Sequence, residues 1–354
     1  MQYSRWTTVK TISYANADVP TQQPESRREG VRHIEVDAER AGQRLDNFLM
    51  RVLENVPRSR IYRLVRRGEV RVNGRRASPA QRLNASDRIR LPPVRLEAQP
   101  AAPRVPSSMI ELLQRAVIHE DERLLVLDKP AGVAVHGGSG VSFGIIEALR
   151  AARPHEELEL AHRLDRDTSG CLLIARKPSA LRTLHALLRE GQFEKGYLGL
   201  VQGPWDLGRK RIDVPLRTDL RVSGERTVRA HASGKEAVSE FKPVQFFGSR
   251  ATLMEVAIHT GRTHQIRVHA AHAGHPVAGD EKYGDAEFNR RMREVGLGRM
   301  FLHAHSVSFE WPGGGSFSAS APLPDELRAV LDRLGEGRGG GTPARGRGRP
   351  QGKR

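Results

Sequence analysis

A chain of 354 residues with 38% apolar side chains can bury a sizeable core and is long enough for two or three domains. Its 58 lysines and arginines against 41 acids leave a formal charge of +17, which favours a polyanionic partner. An anionic membrane surface competes with nucleic acid for that role, but no apolar segment approaches the ~18 residues of a span, and no basic amphipathic helix stands out. The single cysteine, Cys171, excludes an internal disulfide and fits a reducing cytoplasm; Met1 to Trp6 lead into no hydrophobic h-region, which argues against secretion.

Residues 1–32 are polar and irregular, and disorder is expected there. Residues 33–94 read as a small α/β domain. His33 to Val36 alternate like a strand. Leu45, Phe48, Leu49, Val52 and Leu53 recur at helical spacing. A second helix follows Pro57, with Ser59 as its expected N-cap, Ile61, Leu64 and Val65 inward, and Arg60, Arg63 and Arg67 on the opposite stripe. Val70 to Arg76 form a hairpin signal around Asn73-Gly74, flanked by Arg71 and Arg75. Between Pro57 and Val94 stand 11 arginines and two acids. Such a density is either a solvated face or a surface that needs an anion, and Arg60, Arg63, Arg67, Arg71 and Arg75 are its candidate RNA contacts. A linker is expected over 95–112, proline-rich as far as Pro106.

The main domain is expected over 113–334. Ala116 to His119 and Leu124 to Leu127 look like paired strands, and the glycine run His136 to Gly140, ahead of a helix from Ile145, could cradle a phosphate. No Gly-Lys-Ser/Thr follows, so it is not a Walker A. The centre of the chain is His162-Arg163-Leu164-Asp165-Arg166-Asp167-Thr168-Ser169-Gly170, charges and hydroxyls set before the buried-strand run Cys171 to Ala175. Such a loop is either an ordinary turn with a solvated salt bridge or a functional carboxylate beside a core. An amphipathic helix over Ser179–Arg189 turns Leu181, Leu184 and Leu188 inward, and Phe193 to Val201 read as a strand whose Tyr197 is either half-buried packing or a site residue. Alternating segments from 211 to 260 suggest antiparallel sheet. Thr263 is expected to cap a short helix ended by Gly274 and Pro276. Histidines 259, 264, 269, 272 and 275 raise a zinc site, but His-x2-His without cysteine or a carboxylate pattern is a weak signal, and no metal is assigned. A last helix around Leu327, Val330, Leu331 and Leu334 closes the domain, and the Gly/Arg-rich residues 335–354 read as a disordered, RNA-attracted tail.

The nonapeptide 162–170 matches H-R-L-D-x-x-T-S-G, the central motif of the RluA-type pseudouridine synthases, at every defined position. Asp128-Lys129-Pro130-Ala131-Gly132, Lys195-Gly196-Tyr197, Thr260-Gly261-Arg262-Thr263-His264-Gln265-Ile266-Arg267-Val268-His269, Gly279-Asp280 with Tyr283-Gly284, and Leu302-His303-Ala304 resemble the same family. Residues 43–49, the basic helix and the Asn-Gly turn resemble the S4 RNA-binding domain. The resemblance covers about 41–330 and implies an α+β fold: a mixed, mainly antiparallel catalytic domain behind an S4-like unit. It implies an isomerase acting on uridines of 23S ribosomal RNA or a large-subunit precursor particle, as a monomer. Asp165 would be the nucleophile, Arg267 its ionic partner and Tyr197 the residue stacked on the base. Arg163 would fill the space left by a flipped nucleotide, and His162, Thr168, Arg262, His264 and Gln265 would contact substrate.

Turning uridine into pseudouridine breaks N1–C1′ and joins C5 to C1′ without redox change, so no cofactor is needed. Both attack at C1′ and a glycal route suit a carboxylate. A non-catalytic RNA-binding or ribosome-assembly protein would use the same basic domain and tail. It would have no use for Asp165, Tyr197 and Arg267 together. A metal-dependent hydrolase would instead use the histidines.

Overall fold

The computed structural model describes residues 30–53, 56–94, 105–138, 143–220 and 226–336. Most of the expected N-terminal and C-terminal disorder, and much of the linker, therefore lie outside the described residues. At their inner edges the expectations shift: Arg32 already pairs in a strand, and the last helix runs to Glu336. The chain divides into two compact units at Ala102/Pro103.

The first unit contains β1 (Arg32–Glu35), α1 (Leu45–Val52), α2 (Arg58–Arg66), β2 (Arg71–Val72), β3 (Arg75–Arg76) and β4 (Arg88–Leu91), with sheet order β1-β4-β2-β3 and antiparallel pairing throughout. Leu45, Phe48 and Leu49 of α1 and Ile61, Leu64 and Val65 of α2 bury one stripe each in its core. The α2 cap differs from expectation. The helix starts at Arg58, Pro57 takes the N-cap position without a side-chain bond, and Ser59 lies inside the first turn. Proline supplies a fixed φ there, which suits a helix start without any cap oxygen. Asn73 and Gly74 both take left-handed φ, 49° and 76°, as a tight hairpin turn requires. Asp46 is buried and accepts from Arg44 Nε at 3.0 Å, Arg44 Nη2 at 2.7 Å and the Tyr62 hydroxyl at 2.9 Å, bonds that hold its carboxyl below the usual range. Arg63, Arg67, Arg71 and Arg75 are exposed and Arg60 is half-buried.

The second unit runs α3 (Ser107–Arg115), β5 (Val117–Glu120), β6 (Leu124–Lys129), α4 (Ile145–Ala152), β7 (Glu159–Leu160), β8 (Ser169–Ala175), α5 (Pro178–Arg189), β9 (Phe193–Gln202), β10 (Lys210–Asp213), β11 (Leu216–Leu220), β12 (Arg226–Ala230), β13 (Val238–Phe246), β14 (Ala251–Ile258), α6 (Gln265–His272), α7 (Ala286–Glu294), β15 (Leu302–Glu310), β16 (Ser316–Ser320) and α8 (Asp325–Glu336). The presence of α3 shortens the expected linker. Leu113 is fully buried, so the segment after Pro106 belongs to the core and not to a spacer.

Among the described residues, eight strands run β10-β13-β14-β9-β15-β8-β6-β5 across one sheet, with β16 beside β15 and β7 beside β8; β11 and β12 form a separate ribbon. Pairing is antiparallel except between β15 and β8. Every residue of β8 is buried. Leu172 and Ile174 face one core with α4, while Cys171, Leu173 and Ala175 face another with α5, so helices cover both faces of this strand. On α5, Leu184 and Leu187 are fully buried; Leu181 and Leu188 pack only partly.

The β8–β15–β9 neighbourhood positions the site. Ala304 of β15 lies opposite Gly170 of β8 on one side and Tyr197 of β9 on the other. Gly170 has φ +107°, and a Cβ there would sit 2.2 Å from the Ala304 carbonyl oxygen. The glycine that closes the central motif thus permits the close parallel approach of the two strands.

Candidate active site

The loop ahead of β8 is a tight turn, with Thr168 N donating to Asp165 O at 3.2 Å. It is tied from behind by Lys129. This ammonium has no exposed surface and donates to the carbonyls of Pro130 (2.8 Å), Val133 (2.8 Å) and Arg166 (2.9 Å). Gly132 N donates to Arg166 O as well, at 2.9 Å. The DKPAG and HRLD segments are therefore stitched together through one loop carbonyl. Burial pushes the Lys129 pKa down to about 7, opposed by the charges of Asp167 and Asp165.

Asp165 keeps 17% of its side chain accessible and lines a cavity of about 540 Å³. Arg267 Nη1 lies 3.4 Å from Asp165 Oδ2. The firmer partner of Arg267 is Asp280, whose side chain has no exposed surface. Nε meets Asp280 Oδ2 at 2.7 Å and Nη2 meets Oδ1 at 2.8 Å. Burial alone would raise the Asp280 carboxyl. The hydrogen bonds and charge of Arg267, with the N–H groups of Tyr283 and Lys282, more than offset it and hold the group below the usual range. The guanidinium also stacks over the Tyr283 ring, 5.1 Å from its centroid.

Helix α6 carries Arg267 and is buried along most of its length. Its start differs from expectation. His264, not Thr263, is the N-cap residue, in a left-handed conformation at φ 54° and without a side-chain cap bond. Gln265 takes over much of the local satisfaction. Its Oε1 accepts from Thr260 Oγ1 (2.7 Å) and Arg262 N (3.0 Å), and its Nε2 donates to Val238 O and Ser239 Oγ, both at 2.9 Å. The His264 backbone is thus held in a rare conformation, with its ring between Tyr283 and Asp165. Nδ1 is 2.8 Å from the Tyr283 hydroxyl, and Nε2 is 3.9 Å from Asp165 Oδ2. Burial lowers the His264 pKa, against the pull of Asp165.

Tyr197 is buried and lines the same cavity; its hydroxyl has no hydrogen-bond partner among the described residues. Burial, with the charge of Asp165, raises its pKa, so the phenol stays protonated at neutral pH. Arg163 is exposed at the cavity, and Arg262 reaches it with Nε bound to Glu236 O at 2.9 Å. His162 also lines it, but its Nε2 accepts from Leu173 N at 3.1 Å. Burial, then the nearby Lys195, lowers its pKa to about 4. Thr168 lines the cavity from a buried position. All nine residues read from the motifs as catalytic or substrate-binding therefore share one cavity. Asp280 and Tyr283 are what motif reading left without a role. The available signal was Arg267 standing between Ile266 and Val268 on a short helix; an arginine carried into a core there demands a carboxylate.

One other reading of the sequence changes. The N–H groups of Gly137 and Gly144 donate to Glu147 Oε2 at 3.1 and 2.8 Å, so a carboxylate already takes donors expected for a phosphate; Ser139 and Gly140 of that glycine run lie outside the described residues. His269 is bonded to Ser239 Oγ and Val214 O, and His275 to Gln202 O. Among the described residues no group of three His, Cys, Asp or Glu could hold a metal ion.

A turn-borne carboxylate beside a shared guanidinium, with a buried tyrosine in the same cavity, is the constellation its motifs imply. The chain belongs to the RluA family of RNA pseudouridine synthases, and the comparisons agree. The model for RNA pseudouridylate synthase matches residues 123–272, and that for the S4 domain matches 43–89. Ribosomal large subunit pseudouridine synthase C of Escherichia coli strain K12 is 48% identical over 311 residues, 86% of this chain and 97% of that protein. The protein of the same name from Yersinia pestis is 49% identical over 304 residues, 85% of this chain and 95% of that one. Among solved structures, human RNA pseudouridylate synthase domain containing 4 superposes with a TM-score of 0.54 at 24% identity, covering 64% of this chain and 95% of that one, a likeness of fold.

Proposed function

We propose that the chain converts uridines of large-subunit ribosomal RNA into pseudouridine, with Asp165 as nucleophile. The observation that carries this reading is Asp165 itself: an accessible carboxylate at a roomy cavity, 3.4 Å from a guanidinium that a second carboxylate holds in place. The 48% identity to proteins named for the ribosomal large subunit supports the RNA, and 23S ribosomal RNA or its precursor particle is the substrate.

The target nucleoside leaves its helix and enters the cavity, as chemistry on a stacked base requires. Arg163 fills the gap it leaves. Asp165 attacks C1′, and N1–C1′ breaks. Arg267 aims the carboxylate through a charge-assisted bond. Tyr197 stacks on the freed uracil, which turns to present C5 to C1′. As C5–C1′ forms, the Asp165–C1′ ester bond breaks and returns the carboxylate. The C5 proton is lost while N1 gains one, an exchange that the Tyr197 hydroxyl relays. His162, Thr168, Arg262, His264 and Gln265 shape the wall around it. Arg60, Arg63, Arg67, Arg71 and Arg75 of the S4-like unit bind RNA phosphates and add affinity without sequence readout. The protein works as a monomer in the cytoplasm.

The test is tritium release from 23S ribosomal RNA transcribed with 5-tritiated uridine. Asp165→Asn should release none while binding RNA nearly as well as the parent chain. Release at the parental rate would refute the assignment of Asp165, and no release by the parent chain would refute the function.

A further inference from the structure

Lys195, like Arg189, is a cavity-lining cation that the chemistry above leaves without a task. It sits on β9 two residues before Tyr197 and is half-buried. Among the described residues no carboxylate lies within ion-pair distance of it, and no hydrogen-bond acceptor serves its ammonium. Burial pushes its pKa down to about 8. Holding an ammonium partly out of water without a partner is unfavourable, so an unpaired one in a cavity points to a ligand that offsets the cost.

The lining as a whole names that ligand's charge. Its single carboxylate, Asp165, faces five lysine and arginine side chains: Arg163, Arg189, Lys195, Arg262 and Arg267. Arg267 is engaged by the carboxylates of Asp280 and Asp165, and Arg262 Nε is taken by the backbone carbonyl of Glu236, which leaves the Arg262 charge unmatched. Arg163, Arg189 and Lys195 remain. They come from the motif loop, the last turn of α5 and the first half of β9. Three elements thus bring cations to one cavity without an acid to match them.

We propose that Lys195, flanked by Arg163 and Arg189, binds a phosphate of the RNA strand immediately beside the target uridine. This rests on the function proposed above and adds the part of the substrate it grips. The phosphate carries its charge before, during and after the reaction, so the contact acts on binding. A snorkelling lysine, stem buried and head in water, would give no such contact. A cation serving the detached uracil would act on turnover alone.

The experiment uses the full chain and a 23S ribosomal RNA transcript. Lys195→Met should weaken binding roughly tenfold, the scale of one charge-assisted contact, and raise KM with little change in kcat. It should also reduce the slope of log affinity against log salt by about one. Lys195→Arg should restore most of both. In a short RNA around a uridine that the parent chain converts, a neutral methylphosphonate at one of the two flanking phosphates should weaken the parent chain but not Lys195→Met. Three results would overturn the proposal: an unchanged affinity and slope, additive losses from the two changes, or a fall in kcat at constant affinity. A parent chain that binds the transcript but makes no pseudouridine would refute the function, while the slope would still report on Lys195.

Discussion

Arg267 holds Asp280 with two hydrogen bonds of 2.7 and 2.8 Å and has one nitrogen left over for anything else. That nitrogen is the one 3.4 Å from Asp165. Asp280 therefore decides where the guanidinium points. Asp280→Asn would leave a buried cation without its counter-charge and free to swing toward Asp165. We expect a stability loss of about 3 kcal/mol or more and a fall in kcat of at least tenfold, with RNA affinity little changed. Thermal melts and single-turnover tritium release measure the two. Full activity in a stably folded Asp280→Asn would show that Arg267 needs no anchor.

The Lys129 ammonium satisfies three backbone carbonyls, one of them in the turn that carries Asp165. Lys129→Met would fill similar space and leave those acceptors unpaired. At about 1 kcal/mol or more for each lost partner, the expected cost is about 3 kcal/mol. Because Arg166 O retains only its bond from Gly132 N, the turn should loosen and kcat should fall more than KM rises. An equal loss of stability with unchanged kcat would make Lys129 a structural residue only.

These two anchors mark the boundary of what the sequence reveals. The pairing of Asp165 with Arg267, and the arrival of Tyr197 in the same cavity, were legible because each lies in a motif that resembles the family's. Asp280 lay in a recognisable string too, but nothing in Gly279-Asp280 says which cation it serves. Lys129 was less legible still, since backbone carbonyls leave no mark on a sequence. Helix faces and strand pairs could be read from periodicity, as α1, α2 and β6 show. Helix starts were harder: Pro57 and His264 took positions expected of Ser59 and Thr263, because backbone conformation and a neighbouring Gln265 amide did the work of a cap oxygen. The same competition placed Glu147 where a phosphate was expected.

His303 has no exposed surface. Its Nδ1 accepts from Ser169 Oγ at 2.9 Å and its Nε2 donates to Ala321 O at 3.1 Å. Burial lowers its pKa to about 4 from an ordinary 6.5, and His162 is shifted similarly. Between these values the unfolded chain takes up a proton that the folded chain refuses. Stability is then fully present above about pH 6.5 and is lost as pH falls toward 4, by up to about 3 kcal/mol for His303. Urea denaturation between pH 7 and 4 should show the decline, and His303→Gln should flatten it. An identical slope in that variant would place the acid sensitivity elsewhere.

Gly170 and Gly191 both have positive φ, +107° and +71°, yet they differ in what surrounds them. A Cβ on Gly191 would meet nothing within 4 Å; one on Gly170 would collide with the Ala304 backbone. Gly191→Ala should therefore cost only the left-handed backbone penalty, about 1 kcal/mol. Gly170→Ala must in addition push β8 away from β15, and β15 also supports Tyr197 on β9. We expect about 3 kcal/mol or more of destabilisation and, in whatever folds, a loss of turnover beyond that of Gly191→Ala. Urea midpoints for the two variants settle the matter: similar midpoints would mean that the parallel strand contact tolerates a side chain and does not set the geometry of the cavity.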